Sequence, residues 1–245
     1  MVRNVDHGAR KRSVLAATIN RYIQQAEPVA SEDIARDFDL SSATIRSIFA
    51  ELEGNGYLAH PYTSGGRIPT SKGYRYYVDF LLSQMELLDD EKEHIVSEYR
   101  RELSELGGIL EKTSEVISVI THYAGLVSFL EREDRFFYKG ISFILEQPEF
   151  QDLTKMRLVI KMMEDKKRML NIINRDFSGK TKIYIGEELE DQEMQGCAVI
   201  VSCFMIKNKP SGRLAVLGPK RMEYQHAIPT LEYVSDILSG ILEKI

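Results

Sequence analysis

Cysteine is nearly missing from this chain of 245 residues, which has two. Cys197 and Cys203 lie six apart in the apolar run "GCAVIVSCFMI". On one strand they would share a face yet stand roughly 20 Å apart, too far to bridge. No disulfide framework is available, and a reducing compartment, the cytoplasm, is expected. Long apolar runs are missing as well, since none approaches the roughly 20 residues of a membrane span. The opening "MVRNVDHGARKRSVLAATIN" sets basic residues before an apolar patch, but Asn20 and Arg21 end that patch too soon for a signal peptide.

The chain also lacks an excess of positive charge, its net charge being −5. Residues 1–80 nevertheless hold 10 basic against 9 acidic side chains, and the remainder 22 against 28. A nucleic acid would therefore have to be met with a placed basic patch and not with bulk charge. Chemistry-bearing patterns are equally scarce. His7, His60, His94, His122 and His226 show no metal-ligand spacing. "SGGR" lacks the strand-to-helix setting and the lysine of a phosphate loop, and no nucleophile elbow occurs. Lys220 and Arg221 in "GPKRMEY" follow a strand and suit either an anion or plain solvent. No enzyme and no cofactor are expected.

What is present is organised. Val14, Leu15, Ile19, Tyr22 and Ile23 recur at helical spacing from Gly8 to Gln25. "AEPVA" breaks that helix at Pro28, and Ser31 reads as the N-cap of a short second one with Glu32 and Asp33 in its first turn. Ile34, Ala35 and Phe38 face inward on it. Ser41 caps a third helix, Ser42 to Glu53, whose projection puts Ile45, Phe49 and Leu52 on one side with Ile48 at the margin. Ala43, Arg46, Ser47 and Ala50 occupy the opposite side, flanked by Thr44 and Glu51. Small residues, hydroxyls and one guanidinium suit a helix that enters a major groove about 12 Å wide, although any wet helix face can hold them.

"GNGYLAH" then ends the helix on two glycines, and "TSGGRIPT" reads as a hairpin turn. Thr63, Ser64, Gly65 and Gly66 form the turn, the glycines supplying positive φ, with Arg67 at its tip. Lys72 and Arg75 follow, and Tyr74, Tyr76 and Tyr77 are split between core and rim. Three helices and a basic hairpin outline a winged helix-turn-helix.

"EPVAS", "SSATIR", "ELEGNGYL" and "HPYTSGGRIPTSKGYRYYVDFL", with "ILEQPEF", "IGEEL" and "GRLAVLGPKRMEYQHAIPTLEYVSDILSGIL" further on, resemble the heat-inducible transcription repressor family HrcA. The resemblance implies a repressor of chaperone operons that binds an inverted-repeat operator in double-stranded DNA as a homodimer. It also implies release on heat stress, with a chaperonin as a further partner, and a GAF-like C-terminal region. Two departures stand out. The family commonly has Asn-Asp after "ATIR" where this chain has Ser47-Ile48, which bears on the operator preferred. The chain is also shorter, running from "THYAGLVSFL" to "RFFYKGISFILEQPEF" without the family's inserted dimerisation segment.

The expected architecture is α+β in three parts: a winged-helix domain (1–82), a helical linker and dimerisation region (83–124) and a reduced GAF-like domain (125–245). In the linker Leu103, Leu106, Leu110, Ile117 and Ile120 approach an a/d seam, which serves either a subunit contact or a helix packed on its own core. Beyond it, strands "GLVSFLE" and "RFFYKG" are joined by a turn "REDR". "DLTKMRLVIKMMEDKKRMLNIIN" reads as one helix striped with Leu153, Met156, Leu158, Val159, Met162, Met163, Met169 and Ile172, the methionines as core filler. Three more strands follow, the last two joined by the loop "KNKPS", and then a C-terminal helix, giving a mostly antiparallel sheet with helices packed on it. Two rival functions remain: control by a small effector in the GAF-like domain, or a winged helix that binds protein.

Overall fold

The apolar spacing of the first unit builds four helices and a small sheet. This computed structural model describes residues 7–61, 66–81, 86–99, 106–130, 132–175 and 179–244, in two units that divide after Gln84. Helix α1 (His7–Gln25) buries Val14, Leu15, Ile19 and Ile23. Helix α2 (Ser31–Phe38) buries Ile34 and Ala35. Ser31 is not its cap: the helix starts after Ala30 with no side-chain cap bond, and Glu32 and Asp33 answer its dipole instead. Helix α3 (Ser42–Gly54) buries Ile45, Ile48, Phe49 and Leu52, and Ser41 caps it by accepting the Thr44 amide at 3.1 Å. Strands β1 (Leu58–Ala59) and β2 (Ile68–Pro69) pair antiparallel, and α4 (Ser71–Leu81) closes the unit.

The second unit is a sheet between two helical layers. Helices α5 (Asp89–Glu98) and α6 (Leu106–Thr121) precede strands β3 (Ala124–Phe129) and β4 (Arg132–Lys139). Helices α7 (Ile141–Leu145), α8 (Leu153–Glu164) and α9 (Lys166–Ile173) follow. Strands β5 (Thr181–Ile185), β6 (Cys197–Ile206) and β7 (Lys209–Pro219) and helix α10 (Tyr224–Leu242) complete it. The strands run antiparallel in the order β4-β3-β7-β6-β5. On one face α6 packs against β3 and α10 lies over β6, where Ser235 Oγ donates to the Cys203 carbonyl at 2.7 Å. On the other face Leu126, Val199, Val201, Ala215 and Leu217 meet Val159, Met162 and Met163 of α8 and Met169, Ile172 and Ile173 of α9. Met162, Met163 and Met169 are core, as expected, while Met156 is half-buried.

Three expected boundaries move. The single long helix is two, because Asp165 leaves helical geometry (ψ 77°) and its carboxylate accepts the Arg168 amide at 3.0 Å, starting α9 afresh. Leu153, expected on the apolar stripe, is 77% exposed. Strand β4 begins at Arg132, so all of "REDR" is strand; Phe129 pairs with Arg132 across a register irregularity, and Glu131 lies outside the described residues. The "KNKPS" loop shrinks to Lys207 and Asn208, whose φ of 51° and 60° are those of a two-residue type I′ turn.

The helical segment is no separate linker. Strand residue Gly125 admits α6 so closely that a Cβ there would stand 2.3 Å from the Ser114 carbonyl oxygen and 2.8 Å from Ile117 Cβ. Helix α5 is tied on in turn, by Tyr99 Oη donating to Thr113 Oγ1 at 3.0 Å and by Lys112 pairing with Glu98 at 3.0 Å. Leu110 and Ile117 are consequently fully buried against the sheet of their own unit, which favours the helix packed on its own core over a subunit seam. Leu106 and Ile120 are half-buried, and Leu103 lies outside the described residues.

Ile117→Ala should therefore destabilise this unit by about 2–5 kcal/mol in a denaturant melt, independent of protein concentration. A shift in association with unchanged unfolding would restore the seam. The cysteines offer a second check. Burial pushes the Cys197 thiol up to about 12; burial also raises the thiol of half-buried Cys203, with Arg213 opposing. Alkylation of the native protein at pH 8, mapped by mass spectrometry, should label Cys203 well before Cys197. Equal labelling would contradict the packing of β6.

Candidate nucleic-acid interface

Burial decides which side of α3 stays wet. With Ile45, Ile48, Phe49 and Leu52 turned inward, Ala43, Arg46, Ser47 and Ala50 are exposed and Ser42 and Thr44 half-buried. Thr44 Oγ1 sits 2.8 Å from Ser41 Oγ, so the cap and its neighbour share one hydrogen-bonded pair. Arg46 Nε donates to the Ser42 carbonyl at 3.3 Å, which lays the guanidinium along the helix's first turn. A cation, two small side chains and two hydroxyls thus crowd the N-terminal half of a helix whose backbone amides also point outward there.

The hairpin differs from expectation. Thr63, Ser64 and Gly65 lie outside the described residues. Gly66 supplies no positive φ. It is needed for a close approach instead, since a Cβ there would stand 2.3 Å from the Val29 carbonyl oxygen. Of the two glycines closing α3, only Gly56 has positive φ, at 76°. Arg67 is not at the tip but at the base of the returning strand. Its amide donates to the Val29 carbonyl and its carbonyl accepts the Val29 amide, both at 2.9 Å. Its Nε and Nη2 both reach Glu53 Oε2 at 2.9 Å, and the side chain is 18% exposed.

Lys72 and Arg75 stand on α4. Lys72 Nζ donates to the Asn55 carbonyl at 2.8 Å and lies 4.8 Å from the Tyr57 ring centroid, a cation at the C-terminal end of α3. Arg75 faces Asp79 one turn on, at 3.6 Å. Tyr74 and Tyr77 are core, while Tyr76 is half-buried against Tyr57 with ring centroids 5.3 Å apart. Burial pushes the Tyr77 hydroxyl up to about 12, against the lowering effect of its hydrogen bond to Asn20 Oδ1.

The expected residues therefore fall into two groups. Ser42, Ala43, Thr44, Arg46 and Ser47 gather at the start of α3. Arg67 and Lys72 attach to its far end, about 15 Å along the axis at 1.5 Å per residue. Sequence reasoning missed Glu53 and Val29, which receive Arg67, and the ion pair of Lys11 with Glu51 that joins α1 to the flank of α3. The only hint was that Glu53 and Glu51 end an otherwise uncharged helix half.

Comparison with known proteins agrees with this geometry. Residues 8–79 match the profile of the winged helix-turn-helix transcription repressor, HrcA DNA-binding domain, and residues 89–228 that of the HrcA protein C terminal domain. The heat-inducible transcription repressor HrcA of Pelotomaculum thermopropionicum is 26% identical over 337 aligned positions, covering 96% of this chain and 97% of the relative. That of Desulforudis audaxviator is 28% identical over 338, covering 96% and 98%. Alignments so much longer than the chain mean that the relatives carry segments it spans with gaps. A crystal structure of a hypothetical protein has the same fold, with a TM-score of 0.80 at 19% identity over 96% of this chain and 98% of the other. With four helices and a short hairpin in the first unit and both family profiles matched in order, the chain belongs to the HrcA family of transcription repressors.

Proposed function

We propose that this repressor acts as a homodimer on an inverted-repeat operator of chaperone genes, with one α3 from each subunit entering successive major grooves. The observation that carries the reading is the division of α3: four apolar side chains buried, with Ala43, Arg46 and Ser47 left facing water at its N-terminal half. That half is the part of a recognition helix that reaches base edges, and two-fold symmetry would set the half-sites one helical turn or a multiple apart. Arg46, with Lys72 behind it, supplies charge to phosphates; Ser42, Thr44, Thr63 and Ser64 offer hydroxyls. Ser47 stands where it reads sequence. The dimer contact lies away from Leu110 and Ile117, whose burial within one chain leaves nothing to share. Heat would act by loosening that contact, so that operator occupancy falls with dimer content.

Selection from a random duplex pool tests the reading as a whole: recovered sites should hold two half-sites related by inversion, and a pool that stays random would overturn it. Within it, Arg46→Ala should weaken binding to every duplex alike and reduce the slope of log affinity against log salt by about 0.9, one phosphate contact. Ser47→Asn should instead change which half-site is recovered. If both variants scaled all sites equally, the split between charge and reading residues would fail. Warming the complex while following anisotropy and sedimentation together tests the switch; loss of DNA from an intact dimer would refute it.

A further inference from the structure

We infer that Arg67 is a positioning residue, not a phosphate contact: its bond to Glu53 braces the wing against the recognition helix. The inference rests on the DNA-binding reading above and adds which residues hold that site in shape. Strands β1 and β2 pair through only two residues each, Leu58 with Pro69 and Ala59 with Ile68. So short a ladder does not hold its own geometry in water, and the hairpin must be tied down from outside.

Arg67 provides the ties. Two backbone hydrogen bonds fasten it to Val29, in the connection between α1 and α2. Two donors on its guanidinium converge on one oxygen of Glu53, in the last turn of α3. One residue thus links the helix-turn-helix, the wing base and the end of the reading helix. Gly66 permits the approach, because any side chain there would collide with the Val29 carbonyl. Thr70 adds a second tie, its Oγ1 donating to the Gly56 carbonyl at 2.6 Å. A guanidinium offered to DNA would gain nothing from a carboxylate 2.9 Å away, which neutralises it and repels phosphate. As a brace, the same pair is a charge-assisted, partly sheltered bond that fixes two elements in register.

The two roles predict opposite signs for one substitution. If Arg67 met phosphate, Glu53→Gln would free it and tighten binding, and Arg67→Gln would lower the salt slope by about 0.9. If Arg67 is a brace, Glu53→Gln and Arg67→Gln should each weaken binding about tenfold, the worth of one charged hydrogen bond. The double variant should then be no worse than either, and the salt slope should stay unchanged. The experiment titrates the full-length protein and its variants onto a labelled mixed-sequence duplex at several salt concentrations, and follows amide exchange at Val29 and Arg67. Faster exchange at both amides in each single variant is expected; the swapped pair, Glu53→Arg with Arg67→Glu, should recover both exchange protection and binding. Tighter binding by Glu53→Gln, a shallower salt slope for Arg67→Gln, or exchange unmoved by either substitution would overturn the brace. If the unaltered protein bound no duplex, the DNA reading would fall while amide exchange still decided this one. If a single variant did not fold, failure of the swap to restore the fold would count against it.

Discussion

The first unit depends on the dehydration of one helical stripe. Ile45, Ile48, Phe49 and Leu52 are each at most 4% exposed, and burying side chains of this kind is worth about 1.5–3 kcal/mol apiece. The Ser41 cap adds about 1 kcal/mol, and a surface ion pair less than that. Apolar burial therefore sets the rotation of α3 about its axis, and the polar contacts only trim it. Once that rotation is set, Arg46 and Ser47 have no choice but to face outward. The proposed DNA-facing surface is the remainder left after the core has taken its share.

This is why so much of the unit was legible in the sequence. A projection at 100° per residue separates Ile45, Phe49 and Leu52 from Ala43, Arg46 and Ser47 without knowledge of any neighbour. The cap at Ser41 is a local matter and was read correctly; Ser31 looked the same, yet the helix begins one residue earlier, which local chemistry does not fix. Arg67 was misplaced for a different reason. Its partners Val29 and Glu53 are 38 and 14 residues away in sequence, and nothing in "GGRIP" announces that its strand has a second neighbour. Turn chemistry finds a hairpin but not the side of it that another segment will cover.

The second unit repeats the lesson at larger scale. Leu110 and Ile117 carry a spacing that suits a partner helix and a sheet equally well, and Gly125, which decides between them, lies on the strand that receives them. The break at Asp165 was hidden because the apolar stripe resumes in phase beyond it. The type I′ turn at Lys207 and Asn208 was within reach, since asparagine tolerates positive φ, but Pro210 drew the loop three residues too long. The antiparallel sense of the sheet was legible; which faces were already taken was not.

The tie from Arg67 to Val29 and Glu53 bears on how mutational scans of such regulators are interpreted. A screen for lost repression would flag Arg67 beside Arg46, and both are arginines in a DNA-binding domain. On the proposed roles, one sensitivity would report the ligand and the other the scaffold that shapes the hand holding it. Charge and phenotype together do not separate the two; the acidic neighbour within reach of one of them does.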